Sequence, residues 1–180
     1  MSSLPSRSSP PPCLGLLSDS HGRRERTGRA VAALRAAGAT SLIHLGDIED
    51  SALLEELLVA GVDGSPLPVH LVAGNMDEPS ELKAAADRLG IEFQHPSGEI
   101  VFGGRRIAFT HGDRDREVRR LISSSPDFLL HGHTHRAFDG ELDGVRTINP
   151  GALHRAAIFT VATLDPESGR LASIEIDRGT

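Results

Sequence analysis

The chain has 180 residues, with 19 Lys+Arg against 25 Asp+Glu and a formal net charge of −6. Its 38% of apolar residues, before 19 glycines are added, excludes disorder of the whole chain and fits one globular domain. The negative charge and the absence of Trp and Tyr disfavour nucleic acid as a partner, and no apolar run approaches the roughly 18 residues that a membrane span needs.

Met1 to Pro12 is rich in Ser and Pro and ends in three prolines, which predicts a flexible tail over residues 1–12 and a domain over residues 13–180. This segment lacks the apolar core of a secretory signal, and Cys13, the single cysteine, excludes an intrachain disulfide. A cytoplasmic location follows as the expectation.

From Cys13 onward, short apolar runs stop at polar clusters. CLGLL meets SDSH, TSLIHL meets GD, PVHLVA meets GNMD, RIAFT meets HGD, and DFLL meets HGHTH. These read as buried strands ending in loops. Helices are predicted over residues 26–37, 51–60 and 80–89, each before a glycine placed to end it (Gly38, Gly61, Gly90), and again over residues 114–124. Alternating strands and helices predict βαβ units. Breaks at Gly103-Gly104 and at Asp165–Gly169 predict hairpins in the second half.

Nine histidines are present, and His21, His111, His131, His133 and His135 lie in or beside the polar clusters. In open α/β sheets the loops at the carboxyl ends of the strands converge on ligands, so these clusters are expected to meet in space. Asp19 and His21, like His133 and His135, are two residues apart, a spacing that projects both side chains to one side of an extended backbone. The collected groups are Asp19, Asp47, His21, His111, His133, His135 and Asn75, a nitrogen and oxygen set that suits Mn, Fe, Zn or Co. Seven side chains exceed what one ion with an open position needs, so two adjacent ions are the economical reading.

The ordered motifs DSH (19–21), GD (46–47), GNMD (74–77), THGD (110–113), GHTH (132–135) and NPGA (149–152) resemble the calcineurin-like metallophosphoesterases, and most of all their YfcE-like small phosphodiesterase branch. The resemblance implies an α/β fold, a four-layer α/β/β/α sandwich in a single domain. It implies one divalent ion held by Asp19, His21, Asp47 and His135 and another by Asp47, Asn75, His111 and His133, with Asp47 bridging. Mn2+ is the leading choice, with Fe, Zn, Co or Ni as alternatives. Asp47, Asn75 and His111 are carried over as catalytic residues and Asn75 also as substrate-binding. The implied reaction is hydrolysis of a small phosphodiester or activated phosphate ester by a metal-bridging hydroxide. Two alternatives stay open: a phosphomonoesterase on a nucleotide or phosphorylated metabolite, and a metal-retaining, non-catalytic protein-binding scaffold. A homo-oligomer also stays open.

The chain departs from the family at Met76, where many members carry a histidine that assists the leaving oxygen. A thioether has no proton to give, so alkyl monoesters with poor leaving groups are expected to react slowly. The charged run 22–26 reads first as a solvated helix face, with Arg23 or Arg24, just after the DSH loop, as the alternative candidates to reach a substrate phosphate. His44, His70, His95 and His154 are read as satisfied core or surface histidines, with hydrogen-bonded support of the cluster an equal reading for His44 and His70; His131 is read as a supporting group, and Asp77 and Asp113 as caps or supports.

Overall fold

The computed structural model describes residues 10–61 and 64–179, so most of the predicted 1–12 tail lies outside the described residues. Two sheets carry the architecture. The first contains β1 (Leu14–Leu17), β2 (Ser41–His44), β3 (Val69–Leu71) and β4 (Glu92–Phe93), all parallel, with β10 (Phe159–Asp165) and β11 (Arg170–Ile176) added antiparallel beyond β1. The second has the order β5-β6-β7-β9-β8, built from β5 (Ser97–Phe102), β6 (Arg105–Thr110), β7 (Phe128–Leu130), β8 (Phe138–Leu142) and β9 (Val145–Asn149). Here β6, β7 and β9 are parallel and the two edge strands antiparallel.

The period of two along each strand divides the core into three sheets of contact. Leu14, Leu16 and Ile43 of the first sheet meet Ile107, Phe109, Phe128, Leu130 and Ile148 of the second. The opposite face of the first sheet, with Leu17, Leu42 and Leu71, packs on α1 (Arg24–Ala36) and α2 (Pro79–Leu89). Ala108 and Leu129, pointing the other way from their neighbours, pack on Leu121 and Ile122 of α3 (Asp115–Ser123). The result is the expected helix, sheet, sheet, helix sandwich.

Gly38 and Gly90 follow α1 and α2 in the left-handed region, as predicted. The predicted helix over 51–60 is instead a 3₁₀ segment, Ser51–Leu57, started by the Asp50 side chain accepting from the Ala52 N–H. Leu53, Leu54 and Leu57 are buried, a spacing that the tighter helix satisfies as well as an α-helix would. Both predicted hairpins form. The β8–β9 hairpin was not anticipated; β8 is mostly exposed and carries no apolar run. Among the described residues, no helix is long and apolar enough to cross a membrane.

Candidate metal centre

Every candidate ligand except His135 lies just past the carboxyl end of a parallel strand: Asp19 and His21 after β1, Asp47 after β2, Asn75 after β3, His111 after β6 and His133 after β7, with His135 two residues on. Backbone hydrogen bonds lace the first two loops together, from Asp19 N–H to Gly46 C=O (3.0 Å), His21 N–H to Asp47 C=O (2.9 Å) and Gly22 N–H to Ile48 C=O (2.8 Å). Two bonds tie the second sheet to them. His111 Nδ1 lies 2.7 Å from the Leu45 carbonyl, and the His133 N–H donates to Asp19 Oδ2 at 3.2 Å.

Convergence does not come from extended pairs, as the spacing suggested. Asp19, His21, Asp47, His133 and His135 all adopt positive φ, between 44° and 66°. Such backbone costs about 1–3 kcal/mol at each non-glycine residue and persists where the surroundings over-determine it. Five of the seven candidate ligands therefore sit in loops bent specifically to turn their side chains inward.

Asp19, His21, Asp47 and His135 place one ligand atom each within 4.8 Å of one another, a group that could hold a metal ion. His135 Nε2 lies 3.1 Å from Asp19 Oδ1 and His21 Nε2 lies 3.5 Å from Asp47 Oδ2. Yet Asp19 Oδ1 and His21 Nε2 are buried without a hydrogen-bond partner. These atoms face a common point rather than each other, which is the arrangement of ligands around a cation. His21 Nδ1 sits 2.6 Å from Glu49 Oε1, so its proton is on that side and Nε2 offers a lone pair. Burial also raises the pKa of the fully buried Asp19, against the opposing pull of Ser18, His111 and His135. A cation removes that penalty. The residues present fit a metal.

The other group is looser. His111 Nε2 is 3.2 Å from Asn75 Oδ1 and 3.4 Å from Asp47 Oδ1, and its ring centroid is 5.1 Å from that of His133. With Nδ1 directed at the Leu45 carbonyl, Nε2 faces two oxygen acceptors. Asn75 and His133 are exposed at the mouth. Asp47 faces both groups, one oxygen to His21 and the other to His111. Burial alone would raise its pKa, but the His111 hydrogen bond and charge, with the Met76 N–H, bring it below the ordinary value.

The supports were only partly legible. Asp77 caps two loops at once, accepting from Ile48 N–H and Glu49 N–H through Oδ1 and from Gly74 N–H through Oδ2, each at 2.8 Å. Asn149, at 1% exposure, donates to the Gly132 carbonyl (2.8 Å) and Thr134 Oγ1 (3.1 Å), holding the GHTH loop. His131 lies beside it, its Nδ1 3.5 Å from Asn149 Nδ2. Asp113 pairs with Arg114 (3.6 Å) and caps no helix. His44 is fully buried between Ser20 Oγ (2.5 Å) and the Gly46 N–H (3.2 Å), and burial lowers its pKa to about 3, so it holds the Gly46-Asp47 turn as a neutral ring. His154, satisfied as expected, also borders the cluster: its ring lies 4.9 Å from that of His21 and accepts from Arg23 Nε at 3.4 Å. Arg23 thus stands at the cluster, whereas Arg24 is taken up by Glu55 and Glu56, each at 3.1 Å. Glu49 and His154 follow no sequence signal except adjacency to a motif.

A cleft of about 920 Å³ opens beside His133 and His135, bordered by Arg136, Arg155, Ile158 and Glu175.

Comparison with known proteins gives the family and the fold. The sequence profile of the calcineurin-like phosphoesterase superfamily domain matches residues 13–169. A protein of Methanothermobacter thermautotrophicus named "Probable metallophosphoesterase" is 30% identical over 112 residues, 62% of this chain, and the match spans 59% of that relative's length. A phosphodiesterase of Methanocaldococcus jannaschii is 25% identical over 171 residues, covering 91% of this chain and 99% of the relative. Among solved structures, an archaeal phosphodiesterase superimposes with a TM-score of 0.77 at 23% identity, covering 91% of this chain and 99% of its own. The phosphoesterase YfcE from E. coli gives 0.61 at 19% identity, covering 92% and 100%.

Proposed function

Because the chain belongs to the calcineurin-like phosphoesterase superfamily, we propose that it is a metal-dependent hydrolase of phosphodiesters and activated phosphate esters, working at the cluster that Asp47 centres. The observation that carries this reading is the set of buried ligand atoms, Asp19 Oδ1 and His21 Nε2, left without hydrogen bonds while they face His135 and Asp47. Asp19, His21, Asp47 and His135 would hold one divalent ion, and Asp47, Asn75, His111 and His133 the other, with Mn2+ the leading choice. Two such ions supply an acidified water and a grip on the phosphate oxygens for in-line displacement.

The chain's own residues prepare that chemistry. Glu49 and the Leu45 carbonyl fix the protons of His21 and His111 on the nitrogens that face away from the cluster. Asn75, exposed at the mouth, offers an amide to a phosphate oxygen, and Arg23 beside His154 offers a guanidinium.

Hydrolysis of bis-p-nitrophenyl phosphate by chelator-stripped protein, with and without Mn2+, tests the proposal. Turnover should appear only with metal. At metal concentrations about 100 times Kd, binding should also stabilise the fold by about 2.7 kcal/mol, raising Tm by about 5–10 °C. Metal-independent turnover, or silence with metal bound, would overturn it.

Met76 is 54% exposed at the mouth, its backbone N–H committed to Asp47 Oδ1 at 2.9 Å and its side chain free to be replaced. General acid assistance is worth about 10²–10⁴-fold, so Met76→His should raise kcat on alkyl monoesters at least about tenfold relative to bis-p-nitrophenyl phosphate. An unchanged ratio of the two rates would show that an imidazole there does not reach the leaving oxygen.

A further inference from the structure

The cleft beside His133 and His135 is larger than a phosphate group requires, and its 920 Å³ falls within the range of about 300–1,000 Å³ typical of sites for whole small molecules. It begins at two candidate ligands, so a phosphate ester held at the cluster borders it. Two arginines, Arg136 and Arg155, stand on its border. Both are exposed, and neither makes a hydrogen bond or ion pair with any described residue. Arg155 is moreover held at φ 49°, a left-handed conformation that costs energy wherever a side chain is present. The rest of the cleft is of a different kind, with Ile158 apolar and 57% exposed and the Glu175 carboxylate as a hydrogen-bond acceptor.

We propose that this cleft receives the leaving half of the substrate, and that Arg136 and Arg155 select leaving halves that carry a phosphate of their own. The proposal rests on the phosphoesterase reading. A guanidinium without a protein partner offers a fork of donors that matches phosphate oxygens bidentately. Ile158 suits the apolar face of a ring, and Glu175 accepts from a sugar hydroxyl. The substrate class is therefore a diester whose leaving half carries a phosphate of its own, such as a short 5′-phosphorylated nucleotide ester. In the reaction the oxygen of water bonds to the phosphorus at the cluster, the bond from phosphorus to the leaving oxygen breaks, and that oxygen takes a proton from the water. Each half departs with one phosphate.

Two measurements test it. Calorimetry on the chelator-stripped protein compares adenosine 5′-monophosphate with adenosine, a comparison that needs no turnover. We expect the monophosphate to bind at least tenfold tighter, the preference to fall to near one in R136A/R155A, and R136K/R155K to keep part of it. Arg155→Gln alone provides a milder variant should the double alanine protein melt early. Kinetics on the Mn2+-loaded protein then compare the dinucleotide pApA with ApA, whose leaving half lacks the 5′-phosphate. The kcat/KM ratio should exceed ten in the wild type and collapse in R136A/R155A. Equal binding of monophosphate and nucleoside, or a preference that survives the double substitution, overturns the proposal. Absence of turnover on every ester would instead refute the phosphoesterase reading, while calorimetry still decides whether the cleft prefers the phosphate.

Discussion

Asp47→Asn is expected to lower Mn2+-dependent turnover of bis-p-nitrophenyl phosphate by at least about 10²–10³-fold, the scale for removing a group that organises charge in the transition state. The expected effect on the metal-free fold is small, within about 1 kcal/mol, because the amide keeps the side chain's shape and an oxygen for the Met76 N–H. With the amide oxygen kept at the Oδ1 place, where it accepts from Met76 and faces His111, the side-chain nitrogen takes the Oδ2 place and faces His21, 3.5 Å away. An amide donates where a cation would otherwise sit. The rise in Tm on adding Mn2+ should therefore shrink or vanish in the variant while its metal-free Tm stays near that of the wild type. Thermal melts with and without Mn2+, beside the rate measurement, check both halves. Loss of turnover with an undiminished metal shift would mean that Asp47 acts on the reaction without holding the ion.

That separation of fold from chemistry also explains what could be read from the chain. The seven candidate ligands were visible because each interrupts or closely follows an apolar run, and a polar group in that position is either satisfied by the fold or used by it. The sandwich was legible only through the resemblance of the ordered motifs to a known family; in the structure, residues of CLGLL, TSLIHL and RIAFT alternate between the inter-sheet core and the helical faces. The way the ligands meet was not visible. Positive φ at Asp19, His21, Asp47 and His133 goes with hydrogen bonds between loops far apart in sequence, and residues two apart in a list of letters look extended until those bonds exist. Glu49 and His154 were hidden for the same reason, since what makes them part of the site is contact with His21 from 28 residues away in the first case and from the far end of the chain in the second. The β8–β9 hairpin did carry a local signal. Asp143-Gly144 is a two-residue turn with φ values of 49° and 82°, as a type I′ turn demands, but the flanking strand is polar and offered no apolar alternation to draw attention to it.

Gly74→Ala is expected to damage the site nearly as much as removing a ligand, although Gly74 coordinates nothing. Its Cα packs against the loop that carries Asp47, and a Cβ built there would lie 2.5 Å from the Asp47 backbone nitrogen and 2.9 Å from its Cγ, and closer still to Oδ1. Those are backbone and carboxylate atoms already fixed from other directions. The Gly74 N–H is held by Asp77 Oδ2, and the same Asp77 holds Ile48 and Glu49 through Oδ1, so the two loops cannot slide apart without breaking the clamp. Overpacking of this kind costs about 1–3 kcal/mol. Here the strain falls on the carboxylate that faces both halves of the cluster. We expect Tm to fall by about 3–10 °C and Mn2+-dependent turnover by at least about tenfold. Met76→Ala is the companion measurement, since it alters an exposed side chain of the same loop and keeps the backbone N–H on Asp47. Full turnover in Gly74→Ala would show that Asp47 tolerates displacement, and the tight stacking of the two loops would then serve the fold alone.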